Sequence, residues 1–140
     1  MVTVALSASA EAKIVIGKSI GGVGIGMSKT QVASRLGRGK SQGHGVYTYR
    51  HGTFTVMFGH GRVNDVSTTS KRERTSNGVG VSTTLSKLKR RVAHLHCVLQ
   101  RFFYGCYVKS SQGHRWTLFF FNPSGGNRVT DVDLNNSGYM

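Results

Sequence analysis

Acidic residues are scarce in this sequence. Only 5 Asp and Glu stand against 19 Lys and Arg in 140 residues, which leaves a formal net charge of +14 at pH 7. Charged residues make up 17% of the chain, so the imbalance arises from missing acids and not from a dense basic tail. No pure basic run reaches the roughly five to eight residues of a nucleic-acid tail. The densest clusters, Lys71-Arg72-Glu73-Arg74 and Lys87-Leu88-Lys89-Arg90-Arg91, read as a solvated loop and a solvated helix face. No apolar stretch approaches the roughly 20 residues that a membrane-spanning helix needs. Proline occurs once and the 19 glycines have no three-residue period, which excludes collagen. The hydrophobic fraction, 38%, suffices for a core and excludes wholesale disorder. The length fits one ordinary domain or two small units sharing a core.

A surface this positive attracts nucleic acid, anionic lipid headgroups, anionic wall polymers or an acidic protein, and charge alone does not choose among them. Cysteine occurs twice, at Cys97 and Cys106. In an exported chain a bridge between them would staple a small domain by roughly 2–3 kcal/mol; in a reducing compartment they would be two buried thiols. The small, apolar stretch Met1 to Ala10 ends in Ala8-Ser9-Ala10, a small-x-small pattern that fits signal-peptidase cleavage. No positive region precedes it, so it reads either as a signal-peptide remnant or as a frayed terminus or first strand.

The chain repeats itself. Gly22-Val23-Gly24-Ile25-Gly26-Met27-Ser28 reads against Gly78-Val79-Gly80-Val81-Ser82-Thr83-Thr84, Thr53 to Phe58 against Arg115 to Phe120, and Arg62 to Val66 against Arg128 to Val132, at offsets of 56, 62 and 66 residues. In each half a Gly-Val-Gly stretch leads to a capped helix. Ser28 is the first N-cap and Gly37 the C-cap, with Val32, Ala33 and Leu36 at helical spacing. Leu85, Leu88 and Val92 form the second stripe, and Leu95 continues it. Alternating strands follow over Val46 to Arg50, Thr53 to Phe58 and Arg62 to Thr68, and again over Phe102 to Lys109, Arg115 to Phe121 and Asn127 to Leu134. His51-Gly52, Gly59-His60-Gly61, Gln112-Gly113 and Pro123 to Gly126 mark the turns. The expected class is α+β: two tandem units, each a short helix plus a three-stranded antiparallel meander, sharing one core. Residues 1–20 form an N-terminal segment, 21–68 the first unit, 69–77 a basic linker and 78–140 the second unit.

Taken in tandem, the Gly-x-Gly approach to a Ser/Thr-capped helix, the Tyr47-Thr48-Tyr49 strand, the aromatic strand and the Arg-Val-x-x-Val strand resemble the β-lactamase inhibitory protein family. In single copy the unit resembles the small lipoproteins of outer-membrane assembly. The pattern covers roughly residues 20–134. The resemblance implies an exported, non-enzymatic protein that binds other proteins through its sheet surface and hairpin tips. The tip near His51-Gly52 lacks the carboxylate with which the inhibitor enters its enzyme, so β-lactamase inhibition itself is not carried over.

Other motifs fail on chemistry. Gly21 to Thr30 looks like a phosphate loop, but Lys29 stands three residues beyond Gly26 instead of directly after it, and the dinucleotide glycine spacing is absent. His94, His96, Cys97, Cys106 and His114 carry metal-capable atoms, yet the C-x₈-C spacing does not match a zinc site. His44, His51, His60 and His114 each sit beside glycine in an expected turn. Two of them with a lysine could cleave RNA by general acid–base chemistry, and nothing in the sequence brings two together. The strand aromatics suit stacking of single-stranded bases, but no RNP-like string is present.

The sequence therefore points to a secreted or cell-envelope binding module with no catalytic residues, no metal and no cofactor. Its expected partner is a protein or an anionic cell-envelope polymer. Single-stranded nucleic acid is the alternative, and a small basic ribonuclease-like toxin stands behind it. The expected contact residues are Tyr47, Tyr49, Arg50, His51, Arg115 and Trp116, with aromatics for area and cations for steering.

Overall fold

The computed structural model describes residues 13–100, 103–110, 114–122, 124 and 126–137. The Ala8-Ser9-Ala10 pattern and the Gln112-Gly113 turn lie outside the described residues. Two short strands, β1 (Ile14–Val15) and β2 (Ser19–Ile20), pair with each other ahead of the first helix, α1 (Lys29–Leu36). Ser28 caps α1 through a reciprocal pair: its hydroxyl accepts from the Gln31 amide at 3.2 Å, and the Gln31 side chain accepts from the Ser28 amide at 2.9 Å. Gly37, at φ 85°, ends the helix in a conformation that glycine adopts at little cost.

Four strands follow: β3 (Lys40–Gly43), β4 (Val46–Tyr49), β5 (Phe54–Gly59) and β6 (Arg62–Thr68). An irregular segment then leads to α2 (Leu85–Arg91), capped by Thr84. Four more strands complete the fold: β7 (His96–Gln100), β8 (Phe103–Lys109), β9 (Trp116–Phe121) and β10 (Val129–Asn135). All eight form one antiparallel sheet in the order β3-β4-β5-β6-β10-β9-β8-β7. The join is β6 against β10, with Val132 opposite Thr68 and Leu134 opposite Val66.

This overturns the expected α+β class of two helix-plus-three-stranded-meander units. The molecule is mostly β, its two helices span only 8 and 7 residues, and all the long strands belong to a single sheet. Two strands escape the sequence for different reasons. Lys40–Gly43 is wholly exposed and polar, so it carries no alternation to read; its backbone pairing with β4 makes it a strand. His96–Gln100 directly follows Leu95, which extends the stripe of α2, yet the helix stops at Arg91 and the chain pairs with β8 instead. Cys97 and Cys106 are direct cross-strand partners in that pairing and are disulfide-bonded.

The core lies on one face of the sheet. Tyr49, Phe54, Thr68, Val132, Phe119, Cys106 and Cys97 form one continuous cross-strand row from β4 to β7. Tyr47, Val56, Val66, Leu134, Thr117 and Val108 form the next. Val32 and Leu36 of α1, Leu88 of α2, and Ile14, Ile20, Val23, Val79 and Val81 of the irregular segments belong to the same cluster. Full burial of a side chain such as Phe54 or Phe119 is worth roughly 2–3 kcal/mol.

The basic segment 69–77 is only partly solvated. Lys71 and Arg72 are exposed, but Glu73 is 1% exposed, and neither of its carboxyl oxygens has a hydrogen-bond partner among the described residues. Burial raises its pKa, opposed by the charges of Arg50 and Arg72.

Candidate functional site

Among the described residues, helices and irregular segments cover one face of the sheet, and the other face is the broadest surface they leave. Side chains of directly paired strand residues share a face, which allows that surface to be read across the strands. One row runs Lys40, Thr48, Thr55, Ser67, Asp133, Leu118, Tyr107 and His96. A neighbouring row runs Val46, Met57, Asp65, Asn135, Trp116 and Lys109. Asp131 and Phe120 are paired on the same face.

The two sides of this face differ. On β7, β8 and β9 it is an aromatic ladder. The His96 and Tyr107 rings stack with centroids 5.5 Å apart, Tyr107 meets Trp116 at 5.0 Å, and the Lys109 ammonium stands 5.2 Å from the Trp116 ring centre. Leu118 lies between Trp116 and Phe120 along β9 and between Tyr107 and Asp133 across it. It is fully buried yet stands apart from the main core cluster. Met57, on β5, is 42% exposed, the one exposed large hydrophobic residue among those described.

At the β6–β10 join sits a carboxyl pair. Asp65 and Asp133 are diagonal neighbours on one face of this join, and the Asn135 amide donates to Asp133 Oδ1 at 3.2 Å. Burial raises Asp65 to about 6. Asp133 is raised to about 8, first by burial and then by the Asp65 charge beside it. Two carboxyls side by side in a low-dielectric setting do not readily ionise together, so the pair favours holding a proton. Asp131 lies on the same face, so three of the chain's five acids gather at one place in a strongly basic protein. No side chain in the arrangement forms a nucleophile–base pair, and no metal-binding group of three His, Cys, Asp or Glu occurs among the described residues.

The structure separates the six contact residues expected from sequence. Trp116 stands on the uncovered face, and Arg115 precedes it at that end of the sheet. Tyr47 and Tyr49 point to the covered face. Tyr47 packs edge-on against Phe58 at 5.6 Å beneath Lys29, and Tyr49 is 4% exposed. Arg50 and His51 form the β4–β5 turn at the opposite end of the sheet from Arg115, with β5, β6 and β10 between β4 and β9. The turn histidines divide likewise: His51 occupies one end, and His44, His60 and His114 the other. All four have φ between 51° and 58°, the left-handed region that tight hairpins need.

Sequence reasoning missed Asp65, Asp133, Tyr107, Leu118 and Phe120. A signal for the first two was present: of the chain's five acids, Asp65 falls in the expected last strand of the first half and Asp131 and Asp133 in that of the second.

Two solved structures share the fold. An extracellular protein containing an SCP domain from Bacillus anthracis str. Ames superimposes with a TM-score of 0.54 at 10% identity, over 81% of this chain and 44% of that one. A DUF4309 family protein (YjgB) from Bacillus subtilis subsp. subtilis str. 168 superimposes with a TM-score of 0.50 at 13% identity, over 91% of this chain and 90% of that one. This chain thus spans less than half the length of the SCP-domain protein. No protein family and no curated protein matches the sequence.

Proposed function

We propose that this chain is an exported, non-enzymatic binding module that takes a protein partner on the uncovered face of its sheet. The observation that carries the reading is the apolar surface on this face, the 42% exposed Met57 together with half-buried Trp116, Tyr107 and Phe120, which are held in place around the buried Leu118. Such a rigid aromatic platform supplies contact area at little entropic cost. The mode is the one implied by the resemblance to the β-lactamase inhibitory protein family, without inhibition of a β-lactamase. The Cys97–Cys106 bridge supports a secreted or envelope location, since such bonds persist in oxidising compartments.

Single-stranded nucleic acid is disfavoured on this face, because Asp131 and the Asp65–Asp133 pair, which keeps a negative charge at neutral pH, stand on it and would meet the phosphate backbone. We also read the chain as an internal duplication of residues 21–68 and 78–140. Support comes from matched bonds where each helix begins. Ser28 bridges Arg62 and Thr84 bridges Arg128, and the two arginines donate to Gly26 O at 3.4 Å and Ser82 O at 3.0 Å.

The test is capture from envelope extract at low and high salt, with the wild type and a Trp116→Ala, Met57→Ser double variant. The reading expects a defined protein retained at both salts by the wild type and lost by the variant. Retention unchanged in the variant, or a steep salt slope on DNA or heparin with no protein captured, would sink it.

A further inference from the structure

At the opposite end of the sheet from Trp116, the β3–β4 hairpin and the β4–β5 turn enclose a pocket. It is lined by Arg38, Lys40, Gln42, Thr48, Arg50 and His51, and no acid lines it. Tyr49 also lines it, although its ring is directed to the covered face. Gly39 passes so close that a Cβ there would meet the ring's Cζ at 2.6 Å, so only glycine lets the chain lie flat and bring Arg38 and Lys40 alongside. Arg50 and His51 come from the other wall on consecutive left-handed residues, φ 48° and 58°, ahead of Gly52 at φ 80°.

The donors are oriented in advance. The Arg50 guanidinium donates to Arg35 O at 3.0 Å and its carbon lies 5.6 Å from the Phe54 ring centre, which fixes its plane while leaving further N–H groups unused. Gln42 Nε2 donates to Thr48 Oγ1 at 3.1 Å, so the Thr48 hydroxyl keeps its own hydrogen to give. Arg38, Lys40 and His51 make no side-chain hydrogen bond or ion pair among the described residues. The Glu73 carboxyl feels the Arg50 charge from its buried position, but no acid stands in the pocket itself, so an anion entering it meets an excess of positive charge. Donors carried on several separate stems around one pocket suit a tetrahedral oxyanion with many acceptor lone pairs better than a planar carboxylate.

We infer that this pocket, which takes Lys40 and Thr48 from the β3–β4 end of the uncovered face but lies away from the Trp116 ladder, is a phosphate-binding site; the inference does not rest on the proposed protein-binding role of that face. The phosphate is either free or carried on an anionic polymer.

The experiment is calorimetric titration of the full chain with inorganic phosphate, sulfate, acetate and a short poly(glycerol phosphate). The wild type is compared with Arg38→Gln/Lys40→Gln and, as a remote control, with Lys89→Gln/Arg90→Gln on α2. Saturable phosphate binding is expected, with sulfate competing and acetate not. Arg38→Gln/Lys40→Gln should weaken it roughly tenfold or more, and the α2 control should not. Lys40→Gln alone, at an exposed edge position, replaces the double variant should that fail to fold. Tighter binding per phosphate to the polymer assigns the polymer as source, and equal binding assigns the free ion. The inference is overturned if no phosphate form binds saturably, if acetate competes equally, or if the α2 substitutions weaken binding as much.

Discussion

The two outer edges of the sheet are protected by opposite means. At one edge β3 is short, polar and wholly exposed. It starts with Lys40 and breaks register between Ser41 and Gly43, features that discourage further strands from pairing there. At the other edge β7 is tied covalently to β8 by Cys97–Cys106. The halves behind these edges differ in the same sense. The first has a reciprocal helix cap and two buried anchors on α1, Val32 and Leu36; α2 has a one-sided Thr84 cap and Leu88 as its single buried residue. The covalent bond thus lies in the half whose helix has the weaker cap and the fewer buried anchors.

Removing the α2 anchor should break the comparison hardest. Leu88→Ala is expected to cost about 2–5 kcal/mol, read by urea denaturation, with the loss larger than for Val32→Ala because α1 retains Leu36. Next in size, Cys97→Ser/Cys106→Ser should cost roughly 2–3 kcal/mol. Hydrogen exchange should then open β7 and β8 ahead of β3 and β4. Equal exposure of both edges would show that the bond does not compensate for the weaker half.

The seam between the halves offers a slope instead of a step. Asp65 and Asp133 have pKa values raised in the fold, to about 6 and about 8. The unfolded chain ionises them first, so stability is greatest below the ordinary carboxylate range and falls as pH rises from about 4 through 8. Asp133→Asn should flatten that fall, measured by melting temperature across the range; an unchanged profile would assign the slope elsewhere. Glu73→Gln should likewise gain stability at neutral pH, since burial raises Glu73 in the same direction. The smallest effect sharpens the comparison of caps. Ser28→Ala should cost about 1 kcal/mol and Thr84→Ala somewhat less, because only Ser28 has a reciprocal partner in Gln31.

Much of the local structure was readable beforehand. Ser28 and Gly37 bound α1 as their chemistry dictates, and Arg62–Thr68 is a strand over its expected range. The His-Gly turns form because histidine tolerates, and glycine favours, the left-handed region. The candidate sites were less readable. Tyr47 and Trp116 both alternate on strands, and alternation does not say which of the two faces the helices will cover. Arg50 and His51 belong to a pocket completed by Arg38 and Lys40, whose placement depends on a strand without any hydrophobic pattern.

The sequence by itself determined the charge, the caps of α1, the His51-Gly52 and Gly59-His60-Gly61 turns and the inward-outward alternation of most strands, since each depends on a few neighbouring residues. Only the tertiary structure decided that eight strands form one sheet, that Asp65 meets Asp133, and which face stays uncovered. Those outcomes come from backbone pairing between segments more than sixty residues apart, and no local pattern encodes that pairing.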